Sequence, residues 1–200
     1  MTKPRTLRVR AALLGLFGAA AVVLLGACSA SPDPVLYTIA PVNGATKPGG
    51  PKVVVIERVQ IANYLDRSQI VRSSEDYRVD LKSNDWWGEA LGSMLRRILQ
   101  QELAQRLPQT SVLSETGAVN ASPDATIDID FQRLDEDRSG NVVLQAQVSV
   151  SLKGRKGQIL RNFRITGPVP SPDVKGEVTA ISAAVGQLAD ALAALLVAGR

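Results

Sequence analysis

Residues 125–152 read ATIDIDFQRLDEDRSGNVVLQAQVSVSL, and their alternation decides the fold class. Ala125, Ile127, Ile129 and Phe131 alternate with Thr126, Asp128, Asp130 and Gln132. Leu144, Ala146, Val148, Val150 and Leu152 alternate with Gln145, Gln147, Ser149 and Ser151. A period of two sends successive side chains to opposite faces of a strand. The intervening DEDRSGN is turn-like, so the spacing predicts an antiparallel hairpin with one apolar face and one polar face open to solvent or a partner. A second turn at Gly154 to Gly157 leads to a third strand over Ile159 to Thr166.

Outward from the hairpin, KVVVIERVQI (Lys52 to Ile61) is a β-branched run, apolar on both faces in its first half, which predicts a strand near the sheet centre. Gln69–Ser73 and Tyr77–Lys82 read as strands around a polar SSED turn, and VLYTIA (Val35 to Ala40) as a short first strand. The Gly/Pro-rich PVNGATKPGGP that follows it reads as a flexible loop. Leu91, Met94, Leu95, Ile98, Leu99, Leu103 and Leu107 then recur at helical spacing until Pro108. With Ser83-Asn84-Asp85 as the capping segment, the expected helix runs from Trp86 to Leu107. Val178, Ile181, Val185, Leu188, Leu192 and Leu195 mark a last, alanine-rich helix whose stripe is expected to pack on the sheet. Its final LADALAALLVA is too short for a bilayer span. The expectation is an α+β fold, a single domain with a mainly antiparallel sheet and two long amphipathic helices on one face.

The N-terminus has a different grammar. Lys3, Arg5, Arg8 and Arg10 precede an uncharged apolar stretch, Ala11 to Ala27, which is the layout of a signal peptide. Leu25-Gly26-Ala27-Cys28 resembles the lipobox of bacterial lipoproteins, in which cleavage falls before the cysteine and its sulfur and new amino group are acylated. Cys28 is the only cysteine, so no intramolecular disulfide competes for it. The expected division is a signal peptide over 1–27, a lipidated tether over 28–34 and one domain over 35–200. Ser29 after the cysteine favours the periplasmic face of the outer membrane. Four of the 23 Lys and Arg residues lie in the leader and none of the 19 Asp and Glu, so 19 of each remain and the mature chain is formally neutral. That balance argues against nucleic acid as a partner.

No histidine is present, which excludes the serine triad, histidine bases and most zinc ligand sets. The expectation is no enzyme, no cofactor and no metal. Asp128 and Asp130 share a strand face, a spacing open to acid/base chemistry but read as a solvated face. Asp135, Glu136 and Asp137 lack EF-hand spacing and are read as a charged turn. Of Trp86 and Trp87, one is expected in the core and the other near the surface.

The string YLDRSQIV (Tyr64 to Val71), followed by YRVD, then by WWGEALGSMLRRILQQELAQRLP, and preceded by the lipobox and VLYTIAP, resembles the ABC-type transport auxiliary lipoproteins, the PqiC-like family. Similar sequences often carry proline beside the Tyr-Leu-Asp-Arg string, where this chain has Ala62 and Ser68. The resemblance implies a noncatalytic subunit that works with an MCE-domain protein in lipid transport between inner and outer membranes and docks the conduit at the outer membrane. It makes Tyr64, Leu65, Asp66, Arg67 and Trp87 candidate partner-contact residues, with self-association in a homo-oligomer as another use of that surface. The bland reading of Asp66 and Arg67 is a local pair that fixes the loop. An outer-membrane assembly or secretion lipoprotein that binds a protein client is the alternative function.

Overall fold

The computed structural model describes residues 32–75, 77–114 and 122–199; the leader, the apolar stretch and Cys28 lie outside them. The described chain forms β1 (Val35–Tyr37), β2 (Val53–Ile61), β3 (Gln69–Ser73), β4 (Asp80–Trp87), α1 (Leu91–Arg106), β5 (Ser111–Ser114), β6 (Ala125–Glu136), β7 (Asn141–Leu152), β8 (Gln158–Pro168) and α2 (Val174–Ala198).

The alternating segments form the hairpins they predict. β6 pairs antiparallel with β7 and β7 with β8, with Ile129 opposite Val148 and Val150 opposite Ile159. In the first turn Asp137 Oδ1 accepts the Ser139 and Asn141 N–H groups at 2.8 and 3.0 Å, and Gly140 adopts φ +75°, a conformation that favours glycine.

The sheets are mixed rather than mainly antiparallel. One has the order β5-β2-β6-β7-β8, with β2 parallel to both neighbours; the other has the order β1-β4-β3, with β1 parallel to β4. A parallel pair needs a long crossover. The chain between β2 and β5 supplies one, containing β3, β4 and α1. The strands still divide into an apolar side and an open side: Ile56, Ile127, Phe131, Val148 and Val150 are fully buried, while Asp128 and Asp130 are partly exposed.

Leu95, Ile98 and Leu99 of α1 and Ile181, Val185, Leu188 and Leu192 of α2 close the core, each at most 1% exposed. Burial of each such side chain stabilises the fold by about 1.5–3 kcal/mol. α2 is long and apolar enough to cross a membrane by length and composition, but most of its apolar window is buried in this core.

Two local expectations fail for non-local reasons. Helix α1 begins at Leu91 rather than Trp86, because Trp86 and Trp87 belong to β4, where they pair with Leu36 and Tyr37 of β1. Ser83, Asn84 and Asp85 are strand residues, and the helix starts from Ala90 with no side-chain cap.

The Gly/Pro loop is not a free excursion. Val42 N–H donates to Glu102 Oε1 at 2.7 Å, Gln105 bonds both the N–H and the carbonyl of Gly44, and Lys47 N–H donates to the Arg106 carbonyl at 2.7 Å. Arg106, fully buried, donates to Asp190 and to the carbonyls of Val42, Glu102 and Gly186. A Cβ on Gly44 would lie 2.3 Å from Asp190 Oδ1, so only glycine lets the backbone approach this cluster.

Candidate functional site

The segment between β2 and β3 contains the Tyr-Leu-Asp-Arg string and leaves the sheet as a tight turn. Ala62 N–H donates to the Phe131 carbonyl at 2.8 Å, Leu65 N–H to Ala62 at 2.8 Å and Arg67 N–H to Leu65 at 2.9 Å. Leu65 is 1% exposed and pins the turn to the core. Arg67 turns its Nε to the Tyr64 carbonyl at 2.6 Å rather than to Asp66.

Tyr64 reaches inward to a partner far along the chain. Its hydroxyl donates to Asp135 Oδ2 at 2.8 Å, Ser74 Oγ donates to the same oxygen at 2.6 Å, and Arg133 Nε donates to Oδ1 at 2.7 Å. Asp135 is fully buried. Three donors on a buried carboxylate offset much of its desolvation, because a buried charge is tolerated when it is paired and hydrogen-bonded. Burial, with the Asp135 carboxylate beside it, pushes the Tyr64 hydroxyl up to about 12. The sequence reading missed Asp135, treating it as part of a charged turn. A register shift between Phe131 and Arg133 breaks the alternation and brings both Leu134 and Asp135 inside. The only sequence signal was a carboxylate two residues from an arginine, which is too common to single out.

A second buried carboxyl lies nearby. Glu177, in the first turn of α2, is 1% exposed and has an oxygen without a hydrogen-bond partner. Burial, reinforced by the neighbouring Glu136 carboxylate, pushes its pKa up to about 8.

Distant parts of the string meet at the surface. Asp66, Arg67 and Ser68 line a shallow depression with Trp87, Gly88, Glu89 and Ala90, and Trp87 N–H donates to the Ser68 carbonyl at 2.8 Å. Trp87 is in the core at 7% exposure, so it supports the depression from beneath, while Trp86 is the more accessible of the two. On the other side of Asp66 a second depression is lined by Gln60, Asn63, Ser93, Arg96 and Asp130. Asp66 is therefore an exposed point between two hollows, the first mixed and the second mainly polar. Of the carboxylates considered for acid/base work, Asp128 is engaged by Arg58 across the strands at 3.0 Å.

The family model described as ABC-type transport auxiliary lipoprotein component matches residues 37–193. The chain belongs to this family. The match runs from the last residue of β1 to within the final turns of α2 and includes the whole Asp66 site. As a member of the ABC-type transport auxiliary lipoprotein family, the chain is a lipoprotein component auxiliary to transport. Solved structures share the fold. An uncharacterized protein superposes with a TM-score of 0.69 at 18% identity, over 82% of this chain and 98% of that one. Protein XCC0632 from Xanthomonas campestris, assigned to the family model DUF330, gives 0.68 at 15% identity, over 82% and 96%. No curated protein matches the chain in sequence.

Proposed function

We propose that the protein is a noncatalytic docking subunit of an MCE/ABC-type intermembrane lipid transport system. Acyl chains on Cys28 hold it at the periplasmic face of the outer membrane, and the Asp66 surface meets an MCE-domain partner. The observation that carries this reading is the turn 62–68, whose inner side is fixed by Leu65 and by the Tyr64–Asp135 bond while Asp66 stays exposed between two surface hollows. A segment already ordered loses little conformational freedom on binding. The hollow at Gln60 and Asp130 has a mainly polar lining and the hollow at Trp87 a mixed one, which suit a protein surface; a lipid chain would need an enclosed, largely apolar cavity. The lipid is therefore assigned to the partner's conduit, and this subunit supplies attachment and position. The lipobox resemblance and Ser29 support the anchor and its membrane, and several acyl chains would make attachment nearly permanent.

Crosslinking and affinity purification of the lipidated protein from its own envelope, beside a Cys28→Ala control, tests the reading. Recovery of an MCE-domain protein is expected, with loss of membrane attachment in the control. Recovery of a barrel or secretion subunit without any MCE-domain protein would overturn it and favour a role in outer-membrane assembly or secretion.

A further inference from the structure

The smaller sheet concentrates the exposed apolar surface of the described chain. Of seven large apolar side chains exposed among the described residues, Val35, Leu36, Tyr77, Val79 and Leu81 lie in β1, in β4 or in the turn before β4. Scattered exposed hydrophobes need no explanation, but three in the strands of one small sheet and two more in the turn that enters it do. Leu36 is 64% exposed and is the ladder partner of Trp86, so the two share a face of that sheet. The other side of the ladder is Tyr37 opposite Trp87, which packs inward. Trp86 adds an amphipathic ring whose Nε1 donates to the Ser83 carbonyl at 3.1 Å. That carbonyl meets the indole N–H, so the half-buried ring can enter an apolar environment with its polar atom already paired.

What lies opposite this face follows from chain length. Leu36 is eight residues after Cys28. Even fully extended, the connection holds its Cα within about 29 Å of the Cys28 Cα. With Cys28 acylated, the first strand of the domain is the element with the shortest tether to the bilayer. We infer that the Leu36–Trp86 face seats in the headgroup region of the membrane, so that the anchor and this face together orient the domain. Tryptophan favours this zone, where one part of the ring is apolar and the other wet. The orientation places β1 toward lipid and fixes which surfaces remain for a periplasmic partner. The inference rests on the proposed acylation of Cys28 but not on the identity of that partner.

The test uses the full lipidated protein in vesicles of phosphatidylethanolamine and phosphatidylglycerol, with and without bromine on the acyl chains. Trp86 and Trp87 are the only tryptophans in the chain. The natural protein is expected to float with the vesicles and to lose tryptophan emission in the brominated ones. Trp86→Phe, at an accessible position, should float but show no such loss, because the buried Trp87 is shielded. Leu36→Asp should likewise float and escape quenching, with an unchanged melting curve. A protein that floats but emits equally in both vesicle types would overturn the membrane seat while leaving the anchor intact. A protein that does not float at all would overturn the anchor, and the membrane seat with it.

Discussion

Two loops of this protein are held by buried charge, with opposite results. In the loop that joins β1 to β2, the Arg106 guanidinium and the side chains of Glu102 and Gln105 take up the backbone groups of Val42 and Gly44. The polar chemistry is spent on the fold, and a run rich in glycine and proline becomes part of the wall over the helices. In the 62–68 turn, buried Asp135 takes Tyr64 from below, Arg67 folds back on the Tyr64 carbonyl, and Asp66 is left at the surface. The same device closes one loop and presents the other. Burial of the anchoring charge therefore does not distinguish a loop that is closed from one that presents a side chain; the side chains left over do.

Substitutions sharpen this contrast in order of size. Arg106→Met removes a guanidinium that serves three carbonyls and Asp190, and chemical denaturation should show a loss of about 3–5 kcal/mol. Asp135→Ala strips the carboxylate from Tyr64, Ser74 and Arg133. It should cost about 2–4 kcal/mol and speed hydrogen exchange in the 62–68 turn but not in the 41–51 loop. Tyr64→Phe removes one bond to that carboxylate and should cost about 1.5 kcal/mol. Asp66→Ala should change stability by no more than about 0.5 kcal/mol while abolishing co-purification of the partner. A large loss of stability with Asp66→Ala would turn this loop into a second structural clamp.

A buried carboxyl outside both loops responds to pH. Glu177 has a folded pKa of about 8 against an ordinary 4.5. The folded state therefore binds more protons than the unfolded state between those values. This contribution to stability is complete below about pH 4.5 and is lost as the pH rises through 8. Glu177→Gln should flatten that fall in a series of denaturant melts, and an unaltered slope would show that Glu177 is ionised in the fold.

The regular part of this fold was written locally. The β6–β7–β8 hairpins follow from alternation and short turns, and the C-terminal helix from its 3,4-spaced apolar stripe. The parallel pairs of β2 have no such local mark, because they join residues separated by whole elements. Trp86 and Trp87 read as a helix start since their neighbours suit one, yet their ladder partners lie about fifty residues earlier, in β1. β5, only four residues long, left no periodic trace. At the site, the crowding of Tyr, Asp and Arg between strand-like runs was legible, but Asp135, 71 residues beyond Tyr64, was not. A strand irregularity moved it inside, and nothing in the local pattern announces that shift.

The comparison of the two loops also supplies the most direct measurement. A photoreactive amino acid would be placed in the lipidated protein at Asp66 or, as the counterpart, at exposed Thr46 in the clamped loop, and crosslinked in the native envelope. The expected result is an adduct with an MCE-domain protein from position 66 and none from position 46. Adducts of equal yield from both positions, or from position 46 alone, would contradict the assignment of the Asp66 surface as the docking site.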